Sequence, residues 1–283
     1  MNLEAIRTFL AIIETGSLVG AAGQLNVTQS TITARLKTLE NELGQTLIQR
    51  NKSGASLTNA GQRLQRYAET ITDLWKQAQQ ETSLPDGLSG ACNLACHPDL
   101  WPQFAETMYD HIRHSQPDIA LSIWTGGQHD LSHWLASGRV DVALSYWPVA
   151  GADVTITQLG VDHLVLVGNR PDRPHRFDPG YVFVEAGDAF GRDHAAAFAD
   201  ANTARLRFGS AQLGLSHLLH NGGSGYLPER IARQYIDDGR LFALQAAPKF
   251  TRPFYLITRK GADVDFTWLQ DSIAKAKESN LND

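Results

Sequence analysis

The sequence is short of cysteine, of long apolar runs and of charge. Its two cysteines, Cys92 and Cys96, rule out a disulfide-framed secreted domain. On one strand their Cα atoms would stand about 13 Å apart at ~3.3 Å per residue, too far for a disulfide between them. Small buried hydrophobes are therefore the expected role. Cys-x3-Cys followed by His97 leaves a metal or redox sensor as the alternative. No stretch reaches the ~18 uninterrupted apolar residues of a membrane span. The first residues lack a cationic-then-apolar signal run, so a cytoplasmic protein with no membrane partner is expected. Charged residues make up 19% and apolar residues 42% of the chain, a globular balance, and 283 residues allow two domains or three smaller units.

Catalytic signatures are missing too. Gly222-Gly223-Ser224-Gly225 lacks the x-Ser-x spacing of a nucleophile elbow, and none of the ten histidines forms His-x-x-x-His beside a Glu. No catalytic residue, metal or cofactor is expected.

What the chain does have is asymmetry. Residues 1–66 carry seven basic side chains against four acidic ones, +3, while the remainder carries −8. A basic head on an acidic body suits a head that meets a polyanion. Within it, Gln24 to Leu43 places Ile32, Leu36, Leu39 and Leu43 on one helical stripe. Ser30, Thr33, Ala34 and Lys37 fall opposite, on a small, hydroxylated and basic face. Leu3, Ile6, Phe9, Leu10 and Ile13 stripe a first helix, which Gly16 ends. Ser17 can cap a second helix, to Leu25, or contact a phosphate, and Thr28 stands where the next N-cap would be. Two helices joined by the tight turn Asn26-Val27, the second with a slim polar face, could enter a major groove; an ordinary helical hairpin is the alternative. Behind them Thr46–Asn51 and Ala55–Thr58 read as strands around a Lys52-Ser53-Gly54 turn. Such a wing would carry Arg50 and Lys52 toward a phosphate backbone, where a plain charged hairpin would only be solvated.

Thr58 or Asn59 caps a long helix to residue 82. Ala60, Leu64, Tyr67, Ile71, Leu74 and Ala78 recur as a heptad seam, flanked by Ala68 and Trp75, which suits dimerisation or packing on the chain's own body. Ser83–Gly87 is a Pro/Gly-containing break. Beyond it strands alternate with helices: strands at 91–96, 119–124, 140–146, two extended segments in 153–167, then 181–185, 205–208, 241–244 and 254–258. Helices read at 100–114, 131–137, 188–200, 212–221, 229–237 and 264–278, with a Gly-rich turn at 222–225. Alternation of this kind implies parallel α/β sheets.

Phe9, Gly16-Ser17, Ala21-Ala22, Val27-Thr28-Gln29-Ser30, Leu39-Glu40, Glu42-Leu43-Gly44, Leu47, Arg50, Leu57-Thr58 and Ala60-Gly61 together resemble the winged helix-turn-helix and linker helix of the LysR-type transcriptional regulators. Gly90, Pro117-Asp118, Gly138-Arg139-Val140-Asp141 and the stretch 222–228 resemble the same family's effector domain. Thr28-Gln29-Ser30, Tyr67-Ala68-Glu69-Thr70 and Asn221 to Tyr226 look closest to its HdfR-type branch. The resemblance implies four parts: a winged helix-turn-helix at 1–58, a dimerisation helix at 59–82, a hinge at 83–90 and an effector-binding domain at 91–283. That domain would be periplasmic-binding-protein-like, with one α/β subdomain at about 91–160 and 259–283 and a second at about 161–258.

The resemblance implies double-stranded DNA, a small-molecule effector and a second copy of the chain as partners, as a homodimer or homotetramer, and admits RNA polymerase. The expected DNA contacts are Ser17, Thr28, Gln29, Ser30, Thr31, Thr33, Arg35, Lys37, Arg50, Lys52 and Thr58. Many members have Pro where Ser30 stands and Arg where Ala34 stands, so Arg35 and Lys37 are expected to compensate. Dimer contacts are expected at Leu64, Tyr67, Ile71, Leu74, Trp75 and Ala78. Ligands of α/β folds bind beyond the carboxyl ends of parallel strands, which selects His97, Asp99, Gly126, Gln128, Ser145, Trp147, Glu185, Asp188 and Ser210. With Tyr146, the aromatic and acidic residues among them suggest a neutral or cationic, partly flat effector. A solute-binding protein, or an enzyme with an accessory helical head, is the competing reading, because fold alone does not fix function.

Overall fold

The computed structural model describes residues 2–51, 54–85, 87–149, 151, 153–199, 204–260 and 267–281. The chain divides into two compact units, Met1–Leu84 with Ala136–Arg139, and Pro85–Leu135 with Val140–Asp283.

The head opens with α1 (Leu3–Thr15), α2 (Leu18–Gln24) and α3 (Gln29–Leu43). Each start is capped from the side: Asn2 accepts from the Glu4 N–H, Ser17 from Gly20 and Thr28 from Thr31. Gly16 (φ 66°) and Gly44 (φ 64°) end α1 and α3 in the left-handed conformation that glycine adopts without strain. Ile32, Leu36 and Leu39 are buried with Ile6, Phe9, Ile12 and Ala21 in one core. Leu43, the fourth residue of the predicted stripe, is 46% exposed, because α3 ends there and its last turn overhangs the core.

β1 (Ile48–Asn51) and β2 (Gly54–Leu57) form the antiparallel wing. The first strand starts two residues later than predicted, since the Thr46 and Leu47 carbonyls accept the Thr58 hydroxyl and N–H instead. Residues 52 and 53, the predicted tip, lie outside the described residues. α4 (Asn59–Thr82) follows, with Thr58 accepting from the Gly61 N–H. A Cβ at Gly61 would stand 2.2 Å from the Leu47 carbonyl oxygen, so the helix sits against the wing only because that residue has no side chain.

In the second unit, β3 (Gly90–Cys96) pairs in parallel with both β4 (Ile119–Thr125) and β5 (Val142–Ser145). α5 (Glu106–Ser115) and α6 (Gln128–Ser137) make the crossovers. The predicted helix at 100–114 is broken: Pro102 is extended and Gln103 takes φ 68°, so the regular helix begins only at Glu106. The two extended segments predicted in 153–167 are one strand, β6 (Val154–Gly168). After β7 (Val182–Val184), α7 (Asp188–Ala197), β8 (Leu206–Phe208) and α8 (Ala211–Asn221), the Gly-rich stretch is a turn only at Gly222-Gly223. Ser224 already begins β9 (Ser224–Pro228), which pairs with β6. α9 (Glu229–Asp237), β10 (Phe242–Ala243), β11 (Phe250–Arg259) and α10 (Thr267–Leu281) complete the fold. Predicted ends of α7 at residue 200 and starts of α10 at 264 fall outside the described residues.

The main sheet is therefore mixed, not parallel. Its order is β10-β6-β11-β5-β3-β4, with β11 antiparallel to both β5 and β6. β6 and β11 are long enough to serve two subdomains. The register between them slips at Phe254/Tyr255, beside Gly160, whose lack of a Cβ admits the Phe254 ring. Tyr255–Thr258 pair with β5, so they belong to the first subdomain and not, as the boundary at 258 implied, to the second. Period-two alternation splits each core by face: Cys92, Leu94 and Cys96 look to one side of β3 and Ala95 to the other. Leu164 and Leu166 line one face of β6, Val165 and Val167 the opposite one.

Candidate nucleic-acid interface and effector cleft

On α3 the residues from Thr28 to Ser30, with Ala34 and Lys37, are exposed, and Thr31 and Thr33 are half-buried. They form one short polar strip on the side away from Ile32, Leu36 and Leu39. The Thr28 hydroxyl lies 2.8 Å from that of Ser30 and 2.9 Å from that of Thr31, so the helix start is knitted together. Arg35 turns back to Glu4 of α1 at 3.1 Å. Ser17 and Thr58 cap helices, and Thr58 also donates to the Thr46 carbonyl. Arg50 lies in β1 opposite Ala55; Lys52 is outside the described residues. Glu40 fixes the wing to α3 by accepting from the Leu47 and Ile48 N–H groups at 2.8 and 3.3 Å.

The predicted seam of α4 divides between two tasks. Leu64 and Ile71 pack on the head's own core with Ala68, which is fully buried. Tyr67, Leu74 and Trp75 are 55%, 46% and 48% exposed, and Ala78 is exposed beside them. That leaves Tyr67, Leu74, Trp75 and Ala78 as exposed apolar residues along the outer half of the helix.

In the second unit the predicted cleft residues are held very differently from one another. His97 and Asp99, directly after β3, are buried. Asp99 accepts from the Ala211 N–H at the start of α8 (2.8 Å) and from Arg252 Nη1 (3.3 Å), which joins the two subdomains. Burial raises its carboxyl pKa, with Arg252 and the Ala211 N–H working against the rise. His97 Nδ1 accepts from the Asp99 N–H at 3.1 Å, and its ring meets Tyr146 and Trp147 at centroid distances of 5.1 and 5.4 Å. Burial, then Arg252 and Arg230, lower that ring to about 3, so it is neutral and carries its proton on Nε2. Ser145 is buried and accepts from the Trp147 N–H, while Ser210 caps α8. Gly126 is buried where a Cβ would strike Asp130 and Trp134. Gln128 and Asp188 are exposed at helix starts, and Glu185 pairs with Arg207 at 3.0 Å.

A buried polar cluster that spacing did not reveal stands beside these residues. Arg230 of α9 grips Asp162 of β6 with Nε and Nη2 at 2.8 and 3.0 Å, and also donates to the Asp99 and Pro102 carbonyls. The Tyr146 hydroxyl donates to Asp162 at 2.5 Å. Burial, then the Asp162 carboxylate, push that hydroxyl well above its ordinary pKa, so it remains a donor. The Arg252 guanidinium lies 3.5 Å over the Tyr146 ring. Arg252 is thus held on the Asp99 carboxylate and the Tyr146 ring, with the Trp147 ring 5.6 Å from its guanidinium.

Burial pushes both Cys92 and Cys96 up to about 12, so they stay thiols at neutral pH. No group of three or more His, Cys, Asp or Glu among the described residues could hold a metal. No single described helix is long and apolar enough to cross a membrane.

A helix-turn-helix with a wing, a long helix with exposed apolar residues, and an α/β body joined by a buried polar cluster define the architecture of a ligand-responsive DNA-binding regulator. Residues 3–62 match the bacterial regulatory helix-turn-helix protein, lysR family, and residues 85–273 match the LysR substrate binding domain. The chain belongs to the LysR family of transcriptional regulators. It is 26% identical to the HTH-type transcriptional regulator HdfR of Yersinia enterocolitica, over 96% of this chain and 92% of that one. Its fold is similar to that of ArgP from Mycobacterium tuberculosis (TM-score 0.60, 23% identity, 96% of both chains). It is also similar to CbnR, a LysR family transcriptional regulator (TM-score 0.69, 16% identity, 99% of both chains). Members of this family are transcriptional regulators, not enzymes, with a DNA-binding helix-turn-helix and a domain that binds a small molecule.

Proposed function

We propose that two copies of the chain pair through Tyr67, Leu74, Trp75 and Ala78 and read an operator with paired α3 helices. A dimer doubles the few phosphate contacts that one small head can make and sets two half-sites. Gln29, Ser30, Thr33 and Lys37 face the bases, and the wing strand that carries Arg50 meets the backbone. Assembly to a homotetramer and contact with RNA polymerase in the cytoplasm extend the same reading.

The effector occupies the cleft at Arg252, His97 and Trp147. Glu185 is neutralised by Arg207, so the acidic lining that favoured a cationic effector does not carry that choice. A compound that presents a carboxylate or carbonyl oxygen to Arg252 and a flat edge to Trp147 fits the groups better. The observation that carries this reading is the buried cluster of Arg230, Asp162, Tyr146, Arg252 and Asp99. It joins residues of both subdomains, so an occupant that favours one arrangement of them shifts the protein between states.

The test is a fluorescence-anisotropy titration of the intact protein on its own upstream intergenic DNA at two salt concentrations. Tight binding that falls steeply with salt is expected, with loss on Gln29→Ala plus Arg50→Ala. Affinity no greater than for random DNA, with and without a library of small carboxylates, overturns the operator reading.

A further inference from the structure

The second subdomain holds a cavity of about 330 Å³, within the range of small-molecule sites. It lies on the face of the sheet that carries Leu166, and Tyr181, His194, Phe198 and Tyr226 are among its walls. Tyr181 stands at the amino end of β7, whereas the cleft residues Glu185 and Ser210 follow the carboxyl ends of β7 and β8. Tyr181 and Glu185 are four residues apart, roughly 13 Å along an extended chain, so the cavity is separate from the effector cleft.

Its rings are fixed by their own contacts. The Tyr181 hydroxyl and His194 Nε2 are 2.7 Å apart, and the two rings stack with planes 15° from parallel. Phe198 lies 4.8 Å from the His194 centroid, and the Tyr226 hydroxyl donates to the Pro248 carbonyl at 2.8 Å. The lining carboxylate, Asp178, is already satisfied: Arg173 pairs with it at 2.7 Å, and the Ser224 hydroxyl and Gly180 N–H donate to it. Two further cations lie on the lining, of which Arg176 is already engaged. Arg205 is exposed, and the Arg176 guanidinium sits 5.5 Å over Phe198 while donating to the Ala197 carbonyl. Phe177, also lining the cavity, holds φ 55° with 63% of its surface in water. A large apolar ring in a strained, left-handed backbone at the edge of an aromatic cavity gains from a ligand that covers it.

We propose that this cavity is a second small-molecule site and takes a flat aromatic carboxylate. The ring lies against Tyr181, Phe198 and Tyr226, and the carboxylate meets Arg205. Occupancy does not depend on the cleft effector.

The test titrates 2-naphthoate, and the uncharged 2-naphthalenemethanol, into the full chain by calorimetry. Arg205→Glu and the cleft variant Arg252→Ala are measured alongside, each checked for native circular dichroism. One-site binding of the carboxylate that survives Arg252→Ala, weakens at least tenfold in Arg205→Glu, and is at least tenfold weaker for the alcohol supports the site. Absence of heat up to millimolar 2-naphthoate overturns it. Binding that is lost in Arg252→Ala but unchanged in Arg205→Glu also overturns it, and assigns the carboxylate to the cleft instead.

Discussion

Asp162 and Arg252 stand directly opposite one another in the β6–β11 ladder, yet neither pairs with the other. Asp162 is taken by Arg230 from α9, and Arg252 reaches Asp99 beyond β3. Two oppositely charged neighbours have each been drawn to a separate partner, so two buried ion pairs lie side by side where one would have served. The arrangement connects α9, both crossing strands and the segment after β3, and its energetics follow from burial: a charge left alone there is costly.

Replacing Arg230 with Met removes both hydrogen bonds to Asp162 and leaves the carboxylate 5% exposed with Tyr146 as its donor. A loss of about 3–5 kcal/mol is expected, as for other buried pairs broken on one side. The double variant Arg230→Met, Asp162→Asn should recover a large part of it. Urea unfolding followed by circular dichroism checks both; a loss below about 0.5 kcal/mol in the single variant would show that the pair is not coupled to stability.

His97 sets a pH dependence with a definite sign. Its folded value of about 3 lies below the ordinary histidine value of 6.5, so below pH 6.5 the unfolded chain binds a proton that the folded chain refuses. Its contribution is complete above that pH and is lost progressively as pH falls toward 3. From pH 6.5 to 5 the loss is about 2 kcal/mol. His194, also lowered by burial, acts in the same direction, and Asp99, raised by burial, opposes it. The difference between wild type and His97→Gln isolates the ring: unfolding free energies at pH 7 and pH 5 should diverge in wild type more than in the variant.

Much of this fold could be read from periodicity and punctuation. Gly16, Thr28, Gly44 and Thr58 mark helix ends because a cap or a left-handed residue is a local requirement, visible without the partner. The α9 helix and the strands β3 and β4 were legible for similar reasons. The mixed sheet was not, because strand direction depends on partners far along the chain: β11 returns between β5 and β6 from almost a hundred residues on. The cleft followed the same divide. His97, Ser145, Trp147 and Ser210 were selected as candidates from positions at strand ends, where the structure has Ser145 accepting from the Trp147 N–H and Ser210 capping α8. Arg230, Asp162 and Arg252 were not, since an isolated charge in a strand or helix reads as solvated until the register places it beside its partners.

The apolar residues left exposed on α4 predict an assembly defect with an intact fold. Leu74→Glu combined with Trp75→Glu places two charges on residues that are about half exposed in one copy. Neither belongs to the core that holds Leu64, Ala68 and Ile71, so helix content should be unchanged. Sedimentation velocity should show the mass falling to that of one chain at micromolar concentration. An unaltered sedimentation coefficient would place the dimer contact elsewhere.

The two cations of α3 should behave differently on DNA, although sequence alone treats them alike. Lys37 is exposed on the polar strip, whereas Arg35 is held by Glu4 at 3.1 Å with only a quarter of its side chain exposed. A lysine that neutralises one phosphate contributes about one unit to the slope of log affinity against log salt. Lys37→Ala should therefore weaken binding evenly across sequences and flatten that slope by about 1. Arg35→Ala should leave the slope nearly unchanged and cost the head at most about 1 kcal/mol, the ordinary worth of a partly exposed ion pair. Anisotropy titrations at four salt concentrations separate the two. Equal slopes lost from both variants would mean that Arg35 exchanges Glu4 for a phosphate when the head docks.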